Sequence, residues 1–166
     1  MADDDEWVNK ILVIGSWINI GTYSIVLGLS LHNALKFLVI QGRWKNFYLM
    51  GFYTLTVLVA LARILYFYSE YRGIMAETYD PVWTRNTFIY YYCNGIALSS
   101  KAALGIFQIG SMIELAIHVK LSAEKMDLER AQTQKNWTKI MVCVVSLPLI
   151  PLGVLQGKID RGIVFD

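Results

Sequence analysis

Four long apolar blocks, at residues 11–31, 47–68, 88–119 and 137–157, constrain this chain more tightly than anything else in it. The first, ILVIGSWINIGTYSIVLGLSL, carries no charge at all. At ~1.5 Å per residue, ~20 apolar residues in a helix cross the ~30 Å hydrocarbon core of a bilayer. A water-soluble domain would instead spread its apolar residues at helical or strand period. The expected fold is therefore all-α: one polytopic membrane domain over 1–166 with four transmembrane helices, at about 11–35, 47–68, 88–119 and 137–157. The third block has no proline and exceeds spanning length, so that helix is expected to extend beyond the membrane. Residues 120–136 bear Glu124, Lys125, Asp127, Glu129 and Arg130 at helical spacings without a breaker. They are expected to continue the third helix as a solvated extension held by i,i+4 pairs.

The connections fit this plan. QGRWKN at 41–46 is short enough to make the first two helices an antiparallel hairpin. Residues 69–86, with Gly73 and Pro81, are expected to form the first long loop. Pro148 and Pro151 are expected to kink the fourth helix, which membrane helices tolerate.

Composition narrows the function classes. The chain is 55% hydrophobic and 17% charged, with net charge +2 and mean hydropathy +0.43. No Lys/Arg stripe runs through it, so no nucleic-acid partner is expected. Cys93 and Cys143 belong to no CxxC or Cys/His cluster, and neither metal nor cofactor is expected. The acidic start, Asp3 to Glu6, suits neither a signal peptide nor a cleaved presequence. Insertion is then directed by the first apolar helix, by either the ER or the mitochondrial route. Lys36, Arg43, Lys45, Lys120, Lys125, Arg130, Lys135 and Lys139 outnumber the basic residues of the opposite side. That bias places both termini on the non-cytoplasmic, or intermembrane-space, side. Asn136-Trp137-Thr138 matches a glycosylation pattern, but on the wrong side and hard against the membrane, so it is expected unmodified.

Ionisable side chains within spans are the first functional candidates, since each costs about 3 kcal/mol or more at mid-bilayer. Antiparallel packing is expected to bring Arg63 and Lys101 to one level, where two cations suit an anionic lipid headgroup or a partner's carboxylate. Lys36, Arg43 and Lys45 extend that basic set. The plainer alternative is that each cation snorkels separately. Glu114 and His118, spaced i,i+4, are expected to form a polar intramembrane cluster with His32. Such a cluster either ties helices one and three together or relays protons. Small residues at Ser24/Gly28, Gly95/Ser99/Ala103 and Gly153/Gly157 mark faces where helix backbones can approach closely. Trp83, Phe88 and Tyr90–Tyr92 read as an interfacial belt, with an aromatic ligand box as the alternative. No GxSxG, P-loop or paired-carboxylate signature occurs, and no catalytic residue is nominated.

The order of parts resembles the first four helices of eukaryotic seven-helix membrane proteins. The residues concerned are the basic turn QGRWKN, the long third helix beginning near Cys93, and a fourth helix with Trp137 at its base and Pro148/Pro151 inside. The sequence departs from that pattern at His118-Val119-Lys120, where a DRY-like triplet would stand, and no site residue is carried over. The resemblance implies a receptor- or channel-like reading with a polar cavity lined by Asn19, Thr22, Thr54, Gln108, Glu114 and His118. The residues themselves favour a non-catalytic accessory subunit of a larger membrane complex, for instance a respiratory or ATP synthase assembly of the mitochondrial inner membrane. Its expected partners are other membrane subunits and anionic lipid such as cardiolipin. A lipid-binding membrane protein using Arg63 and Lys101 is the third reading.

Overall fold

The computed structural model describes residues 2–40, 42, 46–79, 88–123 and 127–165, with backbone alone at 2–6, 38, 76–79, 88 and 160–165. All regular structure among them is helical: α1 (Ala2–Ala34), running into a π-helical turn (Leu35–Ile40), then α2 (Phe47–Tyr79), α3 (Phe88–Ser122), α4 (Leu128–Ser146) and α5 (Leu149–Phe165). Four stretches are long and apolar enough to cross a membrane, with α4 and α5 forming the last of them together.

Two boundaries differ from expectation. Helix α2 does not stop at residue 68 but continues to Tyr79, through Gly73. Contacts with α1 hold the added turns: Ser16 Oγ donates to Glu70 Oε2 at 3.1 Å, and Trp17 lies against Tyr71 with ring centroids 5.2 Å apart. A tertiary anchor of this kind outweighs the ~1 kcal/mol that one glycine costs a helix. The remainder of the expected loop, with Pro81 and Trp83, lies outside the described residues, as do Arg43 and Lys45 of the first turn. Gly42 in that turn has φ 62°, a left-handed conformation that glycine adopts without strain.

The second correction concerns residues 120–136. Helix α3 ends at Ser122, and Asp127 is extended (φ −72°, ψ 149°) ahead of α4. The charged residues 128–136 thus open the fourth helix rather than prolong the third. Their i,i+4 spacing is satisfied equally by either helix, which is why spacing alone misplaced them. Helix α3 itself is 35 residues long, from Phe88 to Ser122.

Between α4 and α5 the chain stays helical at Leu147 (φ −60°, ψ −41°) but loses regularity. Pro148 and Pro151 lack the N–H groups that would bond the preceding turn. Leu147 and Leu152 still donate to Cys143 and Pro148 carbonyls at 2.9 and 3.1 Å, so the irregular turn stays within one span.

The helices pack as a row. Helix α1 lies against α2, α2 against α3, and α3 against both α4 and α5, while α1 makes at most marginal contact with α3, α4 or α5. Antiparallel registers follow from the side chains. Tyr23 stacks on Phe67 and Phe37 on Tyr53 between α1 and α2. Phe47 stacks on Phe107, at 5.3 Å, between α2 and α3. The tightest crossing joins α3 and α5, where Gly95 faces Gly153 and Gly157 faces Tyr91, backbone against backbone. The most deeply buried residues are small, with Ala60, Ala97, Ser100 and Ala103 all 0% exposed. Without a hydrophobic drive between helices in lipid, close van der Waals approach through such residues is what joins them.

Most apolar surface faces outward. Only 6% of the most apolar window of α1 is buried within the chain, against 22% for α2 and for α4–α5. Soluble proteins rarely expose apolar patches beyond a few hundred Å². Four apolar helices exposed in this way fit an integral membrane protein.

Candidate functional site

Polar side chains gather in two places, at opposite ends of the α2–α3 contact. The first centres on Arg63. Its Nη1 donates to Asn94 Oδ1 at 3.1 Å, and its guanidinium lies 5.4 Å from the Tyr66 ring centroid. Tyr66 in turn stacks on Tyr90 (4.5 Å between centroids), and its hydroxyl donates to Tyr90 Oη at 2.9 Å. Asn94 and the tyrosine ring are neutral, and Arg63 Nε is buried without a partner. Among the described residues no carboxylate pairs with this guanidinium, so its charge is solvated but not neutralised.

Lys101 does not share this level. Arg63 meets α3 at Asn94, two turns or about 10 Å before Lys101. Lys101 is exposed on α3, so the two cations form no joint headgroup clamp. Lys36 stands in the π-helical turn after α1, with Nζ 5.9 Å from the Phe37 ring centroid. π-Helical turns are rare and frequently occur at functional sites. Tyr90 is committed to Tyr66 and packs edge-on against Tyr91, so it is part of the α2–α3 seam rather than a free interfacial belt.

The second gathering is a pocket of about 500 Å³ among the start of α2, the last third of α3 and the middle of α4, lined by Asn46, Tyr48, Ser111, Glu114, His118 and Lys139. Asn46 Oδ1 accepts the Leu49 N–H at 3.1 Å and caps α2. Tyr48 is held edge-on by Phe47 and Phe107 and rests on Gly110, where an added Cβ would sit 2.8 Å from the ring. The residue is 8% exposed, and its hydroxyl is buried with no hydrogen-bond partner. His118 Nε2 lies 3.0 Å from Lys135 Nζ. Glu114 and Lys139 line one pocket yet close no ion pair among the described residues.

His32 takes no part in this cluster. Its neighbours in register on α2 lie near residues 54–58, which places it about 20 Å from Glu114 along the helix axes. It is exposed on α1, whose packing is against α2 and not α3. The partners that the pocket does supply, Tyr48, Ser111 and Lys139, carried no sequence signal beyond being polar residues within or beside the apolar blocks. Asn94 had a weak one, as one of two amides, with Gln108, within the third apolar block.

The small-residue faces divide. Gly95 and Ser99 meet Gly153 across the α3–α5 crossing, and Ala103 is buried on the same helix. Ser24 is exposed, and a Cβ on Gly28 would meet nothing within 4 Å. Among the described residues no three His, Cys, Asp or Glu side chains are grouped to hold a metal, and Cys93 and Cys143 are free thiols.

Fold and sites together define a class, an all-helical integral membrane protein with four spans arranged as a row. Compared with known proteins, the chain matches no family model, no curated protein and no solved structure.

Proposed function

We propose that this chain is a non-catalytic subunit that works by side-by-side assembly with other membrane subunits in a larger complex. The observation that carries the reading is α1, a spanning helix packed along one flank only, with Ser24 and Gly28 open on its surface. A small-xxx-small step of that kind lets a foreign helix backbone approach closely. Arg63 adds a second reason, since its unneutralised charge suits a carboxylate on a neighbour or an anionic lipid phosphate. A mitochondrial inner-membrane assembly is one setting for such a subunit, and the ER and plasma-membrane system is the other. Extracted from its native membrane in a mild detergent, the chain is expected to migrate with a fixed set of other subunits, at a particle mass well above 18.9 kDa plus detergent. A lone monomer under these conditions counts against the reading.

The second reading, a receptor- or channel-like protein, is favoured by the orphaned Tyr48 hydroxyl in the polar pocket. Tyr48→Phe separates the two. If the pocket only stiffens the junction, removing an unbonded buried hydroxyl leaves the melting temperature unchanged or raises it, since such a group costs ~1–3 kcal/mol. If a polar ligand satisfies that hydroxyl, the same change lowers ligand-dependent stability or response instead.

A further inference from the structure

On the face of the α3–α4 hairpin formed by Ile109, Ile113, Met141 and Val145 runs a groove of about 650 Å³. From Ile106 at one end to Lys120 at the other it follows α3 for about 21 Å. Its polarity is graded. The deep half offers isoleucine, valine and methionine alone, Trp137 and Thr138 come next, and Lys120 with Gln134 closes the mouth. Gly110, buried in the floor, brings the two helices together beneath it: a Cβ there would lie 2.5 Å from Val142 Cγ2.

We infer that this groove is a binding site for one anionic phospholipid of the surrounding bilayer. An acyl chain lies along the isoleucine floor, and the headgroup phosphate meets the Lys120 ammonium and the Gln134 amide. Three features fit that occupant together: a length suited to a long fatty chain, a dry floor, and a single cation at the end where the helices leave the apolar layer. Trp137 sits where a headgroup–chain boundary belongs, as interfacial tryptophans do. A peptide helix suits the groove less well, because its polar groups would be spread along its length rather than gathered at one end. The inference needs only that the chain spans a membrane, so it stands or falls separately from the assembly reading.

The test uses the full-length protein in nanodiscs and brominated-chain lipids as quenchers. The Trp137 signal is the fluorescence lost on Trp137→Phe. Brominated phosphatidylglycerol is expected to quench it at about five-fold lower lipid fraction than brominated phosphatidylcholine, the size set by one lysine near an anionic headgroup. Lys120→Gln should erase that gap and leave the phosphatidylcholine curve in place, whereas Lys120→Arg should keep it. Lys158→Gln, an equal loss of charge at the other end of the molecule, should also keep it. Ala116→Phe, which fills the groove, should weaken quenching by both lipids. Equal quenching by the two lipids in the native protein overturns the proposal. So does a gap that survives Lys120→Gln, or one that Lys158→Gln removes equally.

Discussion

Replacing Gly153 by leucine is expected to part α3 from α5 and to lower the melting temperature of the detergent-solubilised protein by many degrees. A Cβ at this position would lie 2.5 Å from the Gly95 carbonyl oxygen and collide with Ser99 Oγ. One turn on, a Cβ at Gly157 would stand 2.8 Å from the Tyr91 carbonyl oxygen. Ser99 Oγ can rotate away, but the Gly95 carbonyl and Ser99 Cβ at Gly153, and the Tyr91 backbone at Gly157, have no rotamer to retreat into, so the helices themselves must move. Overpacking a tight interior costs about 1–3 kcal/mol where side chains can adjust, and the cost here belongs at or above the top of that range. The crossing also loses its van der Waals contact, which is the main attraction available between helices in lipid. Gly28→Leu provides the contrast, since nothing lies within 4 Å of a Cβ there and the isolated chain should melt unchanged. Equal melting temperatures for Gly153→Leu and the native protein would show that the α3–α5 crossing does not hold the fold.

Arg63→Leu is expected to split two properties that usually fall together. The guanidinium is bonded to Asn94 and lies near Tyr66, but no carboxylate among the described residues neutralises it. Burying such a charge within a span costs about 3 kcal/mol, whereas leucine is favourable there. The lost hydrogen bond to Asn94 is worth only ~1.5–3 kcal/mol, so the isolated protein should keep its melting temperature within a few degrees. Assembly should behave otherwise. If Arg63 pairs with an acidic group on a neighbouring subunit, its removal strands that carboxylate in a dry interface at a cost of several kcal/mol. Co-migration with other subunits should then fall by an order of magnitude or more. Retention of the full complex by Arg63→Leu would remove this residue from the interface, and a large loss of stability in the isolated chain would make it a structural tie instead.

The helices themselves were legible because hydropathy alone writes them. A run such as that in α1 has no other stable form in lipid, where every backbone group must be satisfied within its own segment. Helix ends were less legible, since they depend on neighbours. Residues 69–79 look like a polar loop until Glu70 is seen bonded to Ser16, and residues 128–136 carry charge spacings that suit two helices equally. The same limit applied to the polar residues. Arg63, Glu114 and His118 announce themselves by being ionisable within apolar blocks, but which residues they meet follows from register and helix order. An expected neighbour such as His32 was lost once the helices proved to lie in a row. Tyr48 was invisible for the opposite reason: a tyrosine at a helix start is ordinary, and only its burial without a partner makes it a candidate.

Helix α1 is joined to the molecule along a single seam. Ser16 bonds Glu70 across that seam, and Trp17, Tyr23 and Phe37 lay their rings against Tyr71, Phe67 and Tyr53. A helix joined along one flank can take a foreign neighbour on its other flank while every contact among α2, α3, α4 and α5 stays made.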